Sequence, residues 1–488
     1  MNGQKRNGPA KGGTAKGDTA KTGTAPAAAP VTAEDVRVGE RVVVTVKRLG
    51  INGEGVGYYK RKAVFIPGAL PDEVVHAAVT HVEPSFLHAE LQRIEKRSPH
   101  RKEPECPVYE ACGGCQLQHM AYAGQLQAKE ALVREAFDRY ARVADLTIRP
   151  IIGMEEPWGY RNKAQLQVGF EQGRVITGLY AAGSHKLIDI AGCRVQHPAI
   201  NRAVAEVAAV VRELRIPVYD ERKRTGCLRT VVARIALATG ALQLTLITAT
   251  GELPQQDRLV AAIRKRVPQV AAIAHNVNAG KTPLVFGDTT RLLWGAERLD
   301  ETLGDVRLSL SPRAFFQLNP AQTIPLYRAA QEAAALTGRE LVVDAYCGSG
   351  AIGLWLAPHA REVRGIEAIP EAVRDAKRNA AHSGAANVTF YEGQAEKLLP
   401  EWIRAGVRPD VVVVDPPRTG CDRRLLDAIA AAKPQRLVYV SCNPSTLAKD
   451  CRVLLDAGFR IEWVQPVDMF PQTSHVECTV LLKAKGRE

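Results

Sequence analysis

Cys442 closes the segment Leu437-Val438-Tyr439-Val440-Ser441-Cys442-Asn443-Pro444, where an apolar run of strand character stops at an Asn-Pro turn signal. A thiol is thereby presented at a strand end. Its chemistry there is nucleophilic, although a buried structural thiol is the commoner fate of a cysteine beside such a run. About 27 residues upstream, Val411-Val412-Val413-Val414-Asp415-Pro416-Pro417-Arg418 repeats the design with a carboxylate at its tip, and further back Leu341-Val342-Val343-Asp344-Ala345-Tyr346 runs into Cys347-Gly348-Ser349-Gly350. Ligands of open α/β sheets bind at the carboxyl ends of the strands. A glycine turn, an acid and a thiol are therefore expected to converge on one crevice, as covalent catalysis beside a nucleotide-like cofactor requires. Such catalysis also needs a base. Ser474-His475-Val476-Glu477-Cys478 offers His475 and Glu477, between which the chemistry alone does not choose.

Gly348-Ser349-Gly350-Ala351-Ile352-Gly353 follows a strand and opens a helix, the context a nucleotide-type cofactor demands. Glu367, at the end of Val363-Arg364-Gly365-Ile366, is placed to accept hydrogen bonds from ribose hydroxyls. NAD enzymes and S-adenosylmethionine (SAM) methyltransferases share this pattern. The Asp-Pro-Pro strand end and the strand-end cysteine suit methyl transfer to a base, and nothing resembles a hydride-transfer site. A second group of thiols lies in Cys106-x5-Cys112-Gly113-Gly114-Cys115, with Cys193 in Ile190-Ala191-Gly192-Cys193-Arg194 as the candidate fourth. This set fits an iron-sulfur cluster, or zinc completed by His119 or His197. Cys227, Cys421, Cys451 and Cys478 read as small buried hydrophobes.

The elements that position these groups can be read from length and pattern. A chain of 488 residues is long for one core, and 46% hydrophobic with 24% charged residues is a soluble, globular composition. No apolar run reaches a membrane span and the N-terminus lacks a signal-peptide core, so a cytoplasmic protein is expected, in which ten cysteines serve metal or catalysis rather than disulfides. The net charge of +13 points to a polyanionic partner. Residues 1–35, a Lys-x-x-Thr-Ala-like tract, read as a disordered basic tail. Residues 36–97 carry short alternating strands with glycine turns, the pattern of an OB-like β-barrel that binds RNA. Residues 98–310 hold the cysteine group and a mainly β central domain, with helical stretches at 122–140 and 199–214. From 311 to 488 strands alternate with helices, so the fold class is α/β with a doubly wound, Rossmann-like C-terminal domain.

Five motifs carry a resemblance. Ser311-Pro312-Arg313-Ala314-Phe315-Phe316-Gln317-Leu318-Asn319, Asp344-Ala345-Tyr346-Cys347-Gly348-Ser349-Gly350, Asp415-Pro416-Pro417-Arg418-Thr419-Gly420, Ser441-Cys442-Asn443-Pro444 and His475-Val476-Glu477 resemble, in order, those of the RNA (uracil-5-)-methyltransferases. The barrel resembles the TRAM domain of the branch that modifies 23S ribosomal RNA, and Cys106, Cys112, Cys115 and Cys193 resemble its [4Fe-4S] ligands. The resemblance covers all but the tail. It implies a class I SAM-dependent enzyme, monomeric and free of membranes, that converts a uracil of 23S ribosomal RNA to 5-methyluridine. Cys442 resembles the nucleophile that adds to C6, and Glu477 rather than His475 the base that removes the C5 proton. Asp415 resembles the residue at the junction of base and cofactor, Gln317, Tyr346, Glu367 and Asp415 resemble SAM contacts, and Phe315 a base-stacking ring. Ala351 departs from members that carry Asn there, which removes a polar contact to SAM. The nearest alternative is methylation of a uracil in the T-loop of tRNA. A non-catalytic RNA-binding or ribosome-assembly protein is a remoter reading, because Cys442, Glu477 and Asp415 are all present.

Overall fold

The computed structural model describes residues 36–486 apart from 144, 182, 281 and 283, so the expected tail, residues 1–35, lies outside the described residues. Inward Val42, Val44 and Val46 alternating with exposed Arg41, Val43 and Thr45 make Arg41–Leu49 (β1) a half-buried strand. Gly55–Tyr59 (β2), Lys62–Ile66 (β3), Val74–Val82 (β4) and Phe86–Lys96 (β5) come next, and the five close into a barrel in the order β1-β2-β3-β5-β4. Closure leaves no unpaired edge. The barrel agrees with the alternation in the sequence except at β5, where the residues beyond Leu91 are mostly exposed and the pattern fades.

The barrel is locked to the segment after it. Glu73 is fully buried, and Arg101 answers it with Nε and Nη2 at 2.6 and 2.8 Å while the N–H groups of Leu70 and Ser98 complete its shell. Leu49 and Leu70 share a small core with Leu117, Met120 and Ala128. The helical turn Tyr109–Cys112 (α1) stops at Gly113, φ 67°, and Tyr122–Ala136 (α2) runs on into one π turn. Val133, Ala136, Phe137 and Ala141 bury in the core of the C-terminal sheet.

The central region is a seven-stranded sheet ordered β12-β11-β10-β9-β6-β7-β8, from Lys163–Glu171 (β6), Arg174–Tyr180 (β7), Leu187–Asp189 (β8), Leu228–Ile235 (β9), Leu242–Thr248 (β10), Val270–Val277 (β11) and Thr289–Gly295 (β12). Pro198–Glu213 (α3) and Gln256–Arg266 (α4) pack into one core with it. The hairpin Leu299–Leu303 (β13) and Val306–Leu310 (β14) instead gives Leu303, Val306, Leu308 and Leu310 to the C-terminal core, which thus begins ahead of residue 311.

The C-terminal domain alternates Pro320–Ala334 (α5), Leu341–Ala345 (β15), Ala351–Leu356 (α6), Glu362–Glu367 (β16), Pro370–His382 (α7), Val388–Glu392 (β17), Ala395–Arg404 (α8), Val411–Val414 (β18), Arg423–Ala432 (α9), Arg436–Ser441 (β19), Pro444–Asp456 (α10), Phe459–Val467 (β20) and Glu477–Ala484 (β21). The sheet order is β17-β16-β15-β18-β19-β21-β20, with β21 antiparallel to both neighbours. Continuous valine runs such as Val411–Val414, all fully buried, fit strands covered on both faces. Because β21 is reversed, its first residue falls on the edge where the parallel strands end.

Candidate functional site

Each chemical group comes from a strand end at that edge. Cys442 follows β19, Asp415 follows β18, Tyr346 follows β15, Glu367 ends β16 and Glu477 begins β21. Ser441 pairs with Cys478, so the next step along the ladder sets Cys442 level with Glu477. Tyr346 holds φ +66°, an uncommon conformation for a residue with a side chain, and so carries local strain of about 1–3 kcal/mol. The turn beyond it must be glycine at Gly350, φ +84°, where a Cβ would lie 2.5 Å from Phe390 Cζ. At Gly348, φ +56°, a Cβ would meet nothing within 4 Å, which leaves room for a ligand against the backbone. Glu367 accepts hydrogen bonds from the N–H groups of Gly348 (3.0 Å) and Ile369 (2.8 Å), fixing its carboxylate beside that turn.

The 311–319 loop is held against the same turn. Buried Arg234 donates to the carbonyls of Ser311 (3.2 Å) and Ala314, Ser349 Oγ donates to Phe315 O (3.3 Å), and Asn162 Nδ2 donates to Gln317 O (3.1 Å). Gln317 is buried, yet the neighbouring Phe315 ring is 65% exposed, an unusual placement for phenylalanine and one that costs apolar hydration.

The crevice is acidic and poorly solvated. Burial pushes Asp415 up to about 7. Burial and then Asp415 raise Glu477 to about 8, and burial, Glu477 and Asp415 raise the Cys442 thiol to about 11, with Arg418 opposing both shifts. Asp344 is pushed to about 8 by burial, Asp415 and Glu367; its Oδ2 accepts from Gly353 N–H (2.9 Å), while Oδ1 is buried without a partner among the described residues. His475 moves the other way, to about 4, through burial and the cations Arg418, Lys129 and Arg161, and faces Arg418 Nη2 at 3.3 Å. A cavity of about 420 Å³ opens on Cys442. Its far wall is the barrel, through Arg48, Ile51, Asn52 and Phe65, and its sides carry Arg139, Tyr140 and Arg418. The barrel thus forms one wall of the approach to Cys442.

A separate cavity of about 120 Å³ is lined by Cys106, Cys112, Cys115 and Cys193 together, although Cys193 is nearly 80 residues away in the chain. Arg161 lines it too, with a buried Nε that has no partner among the described residues. Burial raises Cys112, Cys115 (to about 11) and Cys193, each further raised by a neighbouring thiol of the set and lowered by Arg161. Neither His119 nor His197 lines this cavity: His119 Nδ1 is bonded to Tyr109 Oη (2.6 Å), and His197 Nδ1 caps α3 by accepting from Ala199 N–H (3.2 Å). Among the described residues no three His, Cys, Asp or Glu side chains crowd closely enough to grip one metal ion, although the four thiols line one cavity.

The structure brings the residues singled out from sequence into two groups. Tyr346, Glu367, Asp415, Cys442 and Glu477 gather along the sheet edge, Gln317 lies in the 311–319 loop that Ser349 ties to the glycine turn through Phe315 O, and the four cysteines gather at the second cavity. Arg418 and Arg161 were not singled out for the roles their positions give them. Arg418 sits in the Asp-Pro-Pro motif and only its charge hinted at a role; for Arg161 the sequence carries no signal, because its neighbours are brought in from three distant segments.

Residues 296–485 match the family described as tRNA (Uracil-5-)-methyltransferase, and residues 35–92 match the TRAM domain. An uncharacterized RNA methyltransferase of Halalkalibacterium halodurans is 54% identical over 454 residues, 93% of this chain and 98% of that protein. A second, from Bacillus anthracis, is 53% identical over 451 residues, 92% of this chain and 98% of that protein. The crystal structure of Pyrococcus abyssi tRNA (uracil-54, C5)-methyltransferase in complex with S-adenosyl-L-homocysteine is similar over 90% of this chain and 100% of that one, with a TM-score of 0.72 at 27% identity.

Proposed function

The chain belongs to the RNA (uracil-5-)-methyltransferase family, and from that premise we propose that this SAM-dependent enzyme methylates C5 of a uracil in 23S ribosomal RNA through a covalent bond between Cys442 and C6 of the base. One observation supports the mechanism: Cys442, Glu477 and Asp415 lie at neighbouring strand ends of one poorly solvated sheet edge, where Asp415 acts on Glu477 and both carboxyl groups act on the Cys442 thiol. Uracil C5 is too poor a nucleophile to take a methyl group unaided. Addition of the Cys442 sulfur to C6 forms the S–C6 bond and moves the C5–C6 π pair into an enolate, and the thiol proton passes to a neighbouring carboxylate, for which Asp415 at about 7 is suited. SAM supplies the methyl group as an electrophile. The enolate pair at C5 takes the methyl group as the S–CH3 bond breaks and its electron pair leaves with S-adenosylhomocysteine; Glu477 then removes the C5 proton, and re-formation of the C5–C6 double bond expels the Cys442 thiolate. A carboxylate raised to about 8 is a stronger base than an ordinary one, whereas His475 at about 4 is a weaker base than an ordinary imidazole, which supports Glu477 in this role.

Gln317, Tyr346, Glu367 and Asp415 hold SAM against the open face of Gly348 in this reading. The target uridine leaves its stack to enter the cavity above Cys442, and exposed Phe315 offers it, or the base it leaves, a stacking surface. Cys106, Cys112, Cys115 and Cys193 hold a [4Fe-4S] cluster. The fit rests on four thiols spread around one cavity, with the unpartnered Arg161 Nε beside them to offset the negative charge of a thiolate-bound cluster. A cluster there would tie the Cys106–Cys115 segment to the distant segment of Cys193. The TRAM barrel and the four-thiol cavity support 23S ribosomal RNA, while the likeness to a tRNA (uracil-54, C5)-methyltransferase supports tRNA as the second reading. Mass mapping of 5-methyluridine in ribosomal and transfer RNA from cells lacking the protein decides between them. Loss confined to a 23S fragment is expected; loss confined to the tRNA T-loop overturns the ribosomal assignment.

A further inference from the structure

The loop that delivers Glu477, residues 468–476, is clasped by the cysteine-bearing segment. Gln472 O accepts hydrogen bonds from the N–H groups of Gln116 (3.1 Å) and Leu117 (2.9 Å), the two residues directly after Cys115. Gln472 N–H donates to Gln125 Oε1 (2.9 Å), and Gln125 Nε2 reaches Gln472 Oε1 (3.0 Å), Leu117 O (3.0 Å) and Met120 O (2.9 Å). Gln125 is fully buried on α2, so each of these bonds is made away from water and each lost partner leaves a desolvated polar atom. Gln472 itself is held at φ +71°, a conformation that side chains rarely adopt and that survives only where the surroundings impose it. On either side, Tyr160 Oη donates to Pro471 O (2.9 Å) and Ser474 Oγ donates to Ile51 O of the barrel (2.9 Å). Five residues beyond this clasp stands Glu477.

We propose that Gln125 and Gln472 are positioning residues, through which the Cys106–Cys115 segment sets the reach of Glu477 toward the base bound to Cys442. Cys442 arrives on β19 and α10, and none of the clasp bonds touches those elements. Loosening the clasp therefore affects removal of the C5 proton and spares the addition and methyl-transfer steps. This rests on the assignment of Glu477 as base, and the experiment separates the two.

The test uses the full chain purified without oxygen, with Gln125→Leu, which keeps the bulk and removes the four side-chain bonds of Gln125, leaving Gln472 O held only by the backbone N–H groups of Gln116 and Leu117. Two rates are read on uridine RNA with SAM: formation of the covalent protein–RNA complex and release of methylated RNA. Hydrogen exchange at residues 116–117 and 472–477 is the structural readout. The proposal predicts complex formation within about twofold of wild type, release slowed at least tenfold with a methylated complex accumulating, and faster exchange confined to those two segments. If Gln125→Leu does not fold, Gln472→Asn takes its place, since asparagine accepts a positive φ but is too short to reach Gln125. Cys115→Ser should raise exchange at 472–477 as well, a readout independent of activity. Equal slowing of both rates, or unchanged release, overturns the clasp while leaving the mechanism intact. Absence of any covalent complex between the wild type and 5-fluorouridine RNA overturns the mechanism itself.

Discussion

Arg418→Gln removes the cation whose field opposes Asp415 at both Cys442 and Glu477. A unit charge on the order of 6 Å away is worth roughly 0.7 kcal/mol at the dielectric of water and about 2.8 kcal/mol at an effective dielectric of 20. Arg418 is exposed, so solvent screens it and the lower part of that range applies, which corresponds to roughly half to one pKa unit. The sign is fixed by the chemistry: loss of the positive charge makes both anions harder to form, so the thiol moves further above about 11 and the carboxylate further above about 8. Below those values the reactive form falls about tenfold per unit. At pH 7.5 the single-turnover rate with saturating RNA and SAM should therefore drop roughly 3- to 10-fold, and the ascending limb of the pH–rate profile should move alkaline by half to one unit. Raising the pH by that amount should restore the rate. A variant profile that overlays the wild type, or moves acid, would refute the electrostatic account of the pocket. A uniform loss at all pH values would instead make Arg418 an RNA contact.

Three further outcomes are expected. Lys129→Met strands Asp468, its partner at 2.6 Å with both side chains fully buried, and should cost about 3–5 kcal/mol in denaturant unfolding; a loss under about 1 kcal/mol contradicts the pairing. Asp344 has a folded pKa raised to about 8, so its contribution is fully present below the ordinary carboxylate range and is lost as pH rises toward 8; Asp344→Asn should flatten the fall of melting temperature between pH 5 and 8, and an unchanged slope rejects the assignment. Anaerobic Cys193→Ser protein should lose brown colour, iron and sulfide relative to wild type, whereas zinc in the wild type in place of iron would reject the cluster.

The strand-end groups were legible because a buried parallel strand writes itself as a short valine run, and the residue after the run must lie at the sheet edge: Val411–Val414 then Asp415, and Arg436–Ser441 then Cys442. The barrel was legible from alternation, except where β5 turns nearly all its later residues to solvent. The clasp was not legible. Gln125, Gln472, Lys129 and Asp468 are polar residues spaced like ordinary surface positions, and only their pairing across some 340 residues allows them to be buried. The same holds for the barrel's place beside Cys442. Nothing in Ile51-Asn52-Gly53 announces that this turn packs on Ser474 and Gln116, yet a Cβ at Gly53 would lie 2.7 Å from Gln116 Cβ.

The central claim is that Cys442 attacks the target uracil and Glu477 later removes its C5 proton. With fluorine at C5 that removal is blocked, so wild-type protein, SAM and a 5-fluorouridine-substituted 23S ribosomal RNA fragment should yield a stable one-to-one covalent complex that carries the transferred methyl group and maps by peptide mass to Cys442. Cys442→Ala should yield none while still binding SAM. A complex attached at another residue, or methylated RNA released by the Cys442→Ala variant, would contradict the account.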